Sequence, residues 1–249
     1  MAIYIFYHIF CNNYTNTIVK DQIDKIIFSR LYKKTKKIYY YLLGSDEERA
    51  NTNTFIQNYI QKFKIPQLTN KFVLAAENED RNKKLFERFT LLSIFDYIKP
   101  KDKILYIHTK GVTKPHDYGD YDWRCYMEYF TICKWRECVQ ILDSYDLVGA
   151  NYVDNPGERD KPHFSGNIWW CRGSHYLRLP REIDDYFVSP EFHVCQCDPS
   201  VYCIHSLRTM VERIPCYGKP YPFSLFIDEK RPYSSESPSG AAAALTEKN

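Results

Sequence analysis

Residues 103–112 read KILYIHTKGV. Ile104 to Ile107 form an unbroken apolar run with charge before and Gly111 after, the pattern of a strand buried on both faces. The run ends on His108, Thr109 and Lys110, directly ahead of a glycine that lets the chain turn. In open α/β sheets, ligands bind outside the carboxyl ends of the strands. These polar residues therefore stand where chemistry is expected. If the strand persists to Lys110, alternation points His108 and Lys110 to one side, and two cations beside the backbone amides of a turn suit a diphosphate. The plain alternative is a solvated lysine and a half-buried, hydrogen-bonded histidine.

Working outward, elements alternate. Ile3 to Phe10 is apolar and reads as the first strand, since it lacks the basic leader and small-residue cleavage site of a signal peptide. Residues 19–31 carry apolar side chains at helical spacing, and KIYYYLLG (37–44) is a second strand ending on Gly44. NTFIQNYIQKF (53–63) reads as a helix and KFVLAAEN (71–78) as a strand. Residues 83–98 place apolar groups at 85, 86, 89, 92, 95 and 98, a helical stripe that Pro100 ends. After strand 103–108 comes a polar loop over 113–122, then a long helix over 123–143. YDLVGANY (145–152) and SGNIWWCRG (165–173) read as strands. This order predicts a mostly parallel sheet with crossover helices, without internal repeats. Residues 1–232 are expected to form one domain, and the segment 233–249, rich in Ser, Gly and Ala, a disordered tail or cloning remnant.

The chain has 249 residues, enough for a sizeable core. Lys plus Arg (34) nearly balance Asp plus Glu (31), so nothing demands a nucleic-acid partner. No apolar stretch approaches the length of a membrane span. Nine scattered cysteines, an odd number, fit reduced thiols in a cytoplasmic protein better than a disulfide framework.

Two later segments carry further candidates. In PHFSGNIWWCRGSHYLRLP (162–180), Ser165, Gly166 and Asn167 open a strand with Trp169 and Trp170. Gly166 permits close backbone approach by a ligand, and the rings can receive a sugar or base, although bulky core residues are the ordinary reading. Residues 184–206 offer Asp184, Asp185 and Glu191 as general bases. They also contain His193, Cys195, Cys197, Cys203 and His205, a zinc possibility whose spacing is not that of a ribbon or finger.

Taken together, YIFYHIFCNN, KIYYYLLG, YIHTKGV, DWRCYMEYF, DLVGANY and HFSGNIWWCRGSHYLRLP resemble a family of nucleotide-sugar glycosyltransferases with a GT-A-like fold, found in bacteria and large DNA viruses. The likeness covers about residues 3–206. It rests most on HTKG and SGNxWW occurring in that order.

The resemblance implies a Rossmann-like α/β fold, a mixed and mostly parallel sheet flanked by helices. Residues up to about 112 would form a nucleotide-binding half and 113–232 an acceptor half. It further implies sugar transfer from a nucleotide donor, UDP-linked in the usual case with GDP as the alternative, to a hydroxyl of a glycan or glycoprotein. Most such enzymes carry an Asp-x-Asp metal motif where this chain has His108-Thr109-Lys110. A fixed cation can replace the metal at the leaving diphosphate, so His108, Lys110 and Gly111 are assigned to the donor diphosphate and Tyr7 and His8 to its base or ribose. The rival is that Asp117, Asp120 and Asp122, with His205, recruit Mn²⁺ or Mg²⁺. Glu191 matches the acidic position after the SGN strand and is the first choice of base for inverting transfer, Asp185 the second. Ser165, Gly166, Asn167 and Trp169 are assigned to the acceptor. A glycan- or nucleotide-binding module without catalysis is the alternative on the same fold.

Overall fold

The structure, a computed structural model, describes residues 1–79, 85–154 and 161–206, together with residues 224, 226 and 227. The expected tail, most of 207–232, Cys216 and the start of the helix expected at 83 lie outside these residues. In chain order the elements are β1 (Ile3–Phe10), α1 (Thr15–Phe28), α2 (Leu31–Lys34), β2 (Thr35–Leu43), α3 (Asp46–Lys62), α4 (Pro66–Thr69), β3 (Phe72–Asn78), α5 (Arg88–Ser93) and β4 (Lys103–His108). Then follow α6 (Tyr118–Glu128), α7 (Trp135–Ile141), β5 (Leu147–Ala150), β6 (Tyr152–Val153), β7 (His163–Phe164), β8 (Trp169–Arg172), α8 (Gly173–Tyr176), α9 (Ser189–His193) and β9 (Val201–His205).

The described strands form a seven-stranded sheet of order β3-β2-β1-β4-β8-β5-β9, with β6 and β7 as a separate pair. β1 pairs in parallel with both β2 and β4, while β8 runs antiparallel to β4 and β5. The fold is therefore mixed α/β with a mostly parallel sheet between helical layers. Successive strands β1, β2 and β3 step one way and β4 returns to the other side of β1. The carboxyl ends of β1 and β4 thus flank a topological switch point, where open sheets take their ligands.

Continuous apolar strands follow from burial on both faces. Ile5, Tyr7, Ile9, Leu105 and Ile107 join α1, α3 and α6 in one core cluster. Tyr4, Phe6, Ile104, Tyr106 and Trp169 join Leu91, Tyr176 and Val194 in the other. By the same alternation His8 and His108, paired in register, project onto the second face.

Local chemistry moves several boundaries. α3 begins seven residues earlier than the apolar spacing predicts, because Ser45 and Glu48 form a capping box at its start. The helical stripe before Pro100 keeps only α5 and a 3₁₀ turn at Ile94–Asp96. The long helix expected over 123–143 divides into α6 and α7 around a π-helical turn, Tyr129–Cys133, and α6 already starts inside the expected polar loop. Asp117 explains that start: its carboxylate accepts from the Gly119 and Asp120 amides, capping the helix. All eight described cysteines are free thiols. Among the described residues no helix is long and apolar enough to cross a membrane.

Candidate functional site

The decisive strand ends earlier than alternation through Lys110 requires: β4 stops at His108, and residues 109–111 turn. Thr109 fixes that turn. Its hydroxyl accepts the Phe10 amide (3.0 Å) and its own amide donates to the His8 carbonyl (3.2 Å), tying β4 to β1. Gly111 takes φ +81°, which favours glycine, and a Cβ there would crowd Cβ of Asp120 at 3.2 Å. Lys110 leaves the strand direction and lies with Nζ 4.3 Å from the centroid of the Trp123 ring. The two cations thus share the edge but not a strand face.

His108 has both ring nitrogens engaged. Nε2 lies 2.8 Å from the Gly166 carbonyl, an acceptor only, so that nitrogen carries a proton and donates. Nδ1 lies 3.5 Å from a carboxylate oxygen of Glu87. The ring therefore stitches β4 to the 165–167 turn, and a direct bond to a phosphate would cost the bond to Gly166. His8 bonds through Nδ1 to the Thr90 hydroxyl (2.9 Å), beside the same cluster.

Glu87 is the residue that pattern reading misses. Its carboxylate accepts from the Tyr106 hydroxyl (2.7 Å) and from the Asn167 amide, besides facing His108. Burial acts to raise its pKa, but the charges of His108 and His8 and the two hydrogen bonds outweigh burial and hold it below the ordinary range. Glu191, on α9, differs. Burial pushes its carboxyl upward against the pull of Lys110, Glu87 adds to the rise, and His163 and His108 oppose it, with a net increase. Two carboxyls within one another's field are thus driven apart, one kept ionised and one made more basic, the arrangement that separates acid and base roles.

The SGN segment is a turn rather than the opening of a strand. Gly166 and Asn167 are successive left-handed residues, φ +88° and +53°, and β8 begins only at Trp169. A Cβ at Gly166 would lie 2.5 Å from the Met127 sulfur. Asn167 reaches Glu87 with its amide and accepts the Trp169 indole N–H (2.7 Å). Ser165 is buried, its amide donating to the Asn151 carbonyl (3.0 Å). Trp169 is fully buried and stacked on Tyr106 at 5.0 Å. Its ring thus packs in the core of the second face, as Trp170 does in that of the first, rather than lying open at the sheet edge.

Other expectations separate likewise. Tyr7 is on the opposite sheet face from His8, fully buried, with its hydroxyl donating to Gln22, so it does not reach the switch-point cluster. Asp185 is exposed on a loop that the Arg88 guanidinium holds through the Asp184 and Tyr186 carbonyls. Asp117 is spent as a helix cap, Asp120 lies 3.8 Å from Lys114, and Asp122 follows on α6. His205 is on β9, bonded to the Tyr126 hydroxyl (2.7 Å) and stacked on Phe130. These four do not converge as metal ligands, nor do His193, Cys195, Cys197, Cys203 and His205. Among the described residues, the one group of three or more ligand atoms near enough for a metal is Asp21, Cys125 and Glu128. The Lys25 ammonium already fills it, 2.6 Å from both carboxylates.

One family model, described as a domain of unknown function (DUF8361), matches residues 6–180. The chain belongs to that family. No curated protein matches it. The matched span holds the switch-point strands, Glu87, His108, Lys110 and the 165–167 turn of this DUF8361 member, and it ends before α9 and Glu191.

Proposed function

We propose that the protein is a glycosyltransferase of GT-A-like fold that moves a sugar from a nucleotide donor, UDP-linked first among the candidates, to a hydroxyl of a glycan. The observation that carries this reading is the polar cluster at the switch point, where Glu87 meets the His108 ring (3.5 Å) and the Tyr106 hydroxyl (2.7 Å), His108 holds the Gly166 carbonyl (2.8 Å) and Lys110 stands at the same strand edge. Glu191, its carboxyl pushed upward by burial, lies within the field of Lys110 and Glu87. Glu191 takes the proton of the acceptor hydroxyl, whose oxygen attacks the anomeric carbon from the face opposite the leaving group. The bond from that carbon to the diphosphate oxygen breaks, its electron pair stays on the oxygen, and the Lys110 ammonium offsets the developing charge. His108 holds the Gly166 turn through its ring Nε2, rather than a phosphate. Asn167 and Gly166 border the acceptor side. His108-Thr109-Lys110 at the edge does not fit a divalent ion, since it supplies cations where a dication needs oxygen ligands. No metal step is invoked.

The test is donor turnover. UDP- and GDP-sugars, each with and without Mn²⁺ or EDTA, are screened for nucleotide release and for a shift in melting temperature. One donor is expected to raise Tm and release its nucleoside diphosphate equally well in EDTA. Stabilisation without release identifies a binding module instead, and no response to any donor ends the donor-site reading.

A further inference from the structure

Behind the Gly111 turn, on the α1 side of the sheet, lies a second concavity of about 340 Å³, formed by the first half of α1, the 111–117 loop and the start of α6. Its volume falls at the lower end of that of small-ligand sites, about 300–1,000 Å³. Its rim is aromatic and exposed. Tyr14 and Tyr121 line it and remain 46% and 52% exposed, and Tyr118, 77% exposed, follows on the same helix start. Among the described residues, two of the eight large exposed apolar or aromatic side chains thus line one hollow.

The polar lining decides what fits. Asp21, Asp24 and Asp117 are matched in number by Lys20, Lys114 and Arg124. Most are already engaged: Lys20 binds Asp24 at 2.7 Å, Asp21 binds Lys25 at 2.6 Å and Asp117 caps α6. Neither an anion nor a cation gains a net field here. What remains is a set of carboxylate oxygens and cationic N–H groups beside tyrosine rings: Lys114 is only loosely paired, 3.8 Å from Asp120, and the Arg124 guanidinium lines the hollow while its buried Nε faces Glu128 at 3.6 Å. A neutral, hydroxyl-rich ligand with an apolar face uses all of these: hydroxyls donate to carboxylates and accept from the guanidinium while a ring's C–H face covers a tyrosine. We infer that this pocket is a carbohydrate-binding subsite for a neutral saccharide, separate from the switch point and independent of Glu191. Arg124 connects the two, since it also donates to the Lys110 carbonyl (3.0 Å).

Saturation-transfer NMR on the full chain with maltose, lactose, cellobiose and chitobiose at millimolar concentration tests this, with UDP and inorganic phosphate as anionic arms. At least one disaccharide is expected to give signal that is lost in the Tyr14→Ala/Tyr121→Ala double variant and in Thr17→Trp, which fills the hollow from exposed α1, and kept in Glu191→Gln. Unchanged melting temperatures confirm that the variants fold. The inference is overturned if no disaccharide binds, if binding survives both pocket variants, or if only UDP or phosphate shows the Tyr14/Tyr121 dependence. Loss with Glu191→Gln alone assigns the sugar to the switch point and equally removes it.

Discussion

Two clusters of acids and cations lie on opposite faces of β4, and His108 touches both: its carbonyl accepts from Gln22 (2.9 Å) on one side and its ring meets Glu87 on the other. On the α1 face Glu128, fully buried, receives Gln22 and Lys25 at 2.6 Å each, with Arg124 Nε at 3.6 Å. Its charge is matched and its acceptor capacity largely filled, which is the condition for a buried ion group to persist as structure. On the other face Glu87 is held ionised, whereas burial and Glu87 push the Glu191 carboxyl upward despite Lys110, His163 and His108, and the Lys110 ammonium lies over the Trp123 ring. The same residue types thus make a keystone in one place and, on the transferase reading, a reactive edge in the other. What separates them is whether any group is left with proton affinity to spend.

The comparison breaks first at the carboxylates. On the transferase reading, Glu191→Gln is expected to lower transfer about 10²–10⁴-fold, the range for losing a general base, while leaving the denaturation midpoint nearly unchanged because the carboxyl is only partly buried. Undiminished turnover would remove Glu191 from the base role. Glu128→Leu is expected to do the reverse in kind, costing about 3–5 kcal/mol in urea unfolding because Lys25 loses a buried partner. A cost below about 1 kcal/mol, the level of an exposed pair, would mean that Asp21 alone suffices and that the α1-face cluster is no keystone.

Much of this architecture was legible in the chain, and the reasons differ by element. Strands β1, β2 and β4 announce themselves because central strands flanked by helices on both faces must be largely apolar, and the carboxyl edge of β1 and β4 identifies His8, His108 and Lys110 as candidates. Trp169 misleads because SGNIWW looks like one strand: Asn167 at φ +53° delays β8 and hands the ring to the core. Asp117, Asp120 and Asp122 look like ligands until the cap claims the first. Glu87 left no trace, since one acid within LFERF has no periodic signature. Only the crossing of β3 to β4 brings it against Tyr106 and Asn167, contacts 19 and 80 residues distant in sequence.

Acidity probes the second face in another way. His193 is fully buried, with neither ring nitrogen hydrogen-bonded, packed near the rings of Phe95 and Tyr176. Burial pushes its pKa down from 6.5 to about 4, and the nearby His175 adds to the fall. The unfolded chain therefore binds a proton that the folded chain refuses between those values. Stability from this residue is complete above pH 6.5 and declines as pH falls toward 4, by on the order of 3 kcal/mol. His175 and His205, also shifted down by burial, add with the same sign. Thermal melts across pH 4–7 are expected to show a shallower acid slope in His193→Leu than in the wild type. Equal slopes would place the acid sensitivity elsewhere.

The smallest effects sharpen the description of the edge itself. Gly166 and Gly111 both adopt left-handed backbone, so alanine strains both, but their surroundings differ: one Cβ would press on the Met127 sulfur at 2.5 Å, the other approaches Asp120 at 3.2 Å. Gly166→Ala is expected to cost about 2–3 kcal/mol, combining backbone strain with overpacking, and Gly111→Ala about 1–2 kcal/mol. Because His108 holds the Gly166 carbonyl, the first change also disturbs the base side of the edge, whereas the second moves Lys110. If the glycosyl-transfer reading holds, Gly166→Ala should fall mainly on kcat, through misplacement of groups that act as the bond breaks, and Gly111→Ala mainly on donor KM. An identical kinetic signature for both would mean that the 109–111 and 165–167 turns move as one unit, and that the His108 bond to Gly166 transmits strain across β4 rather than isolating the two sides.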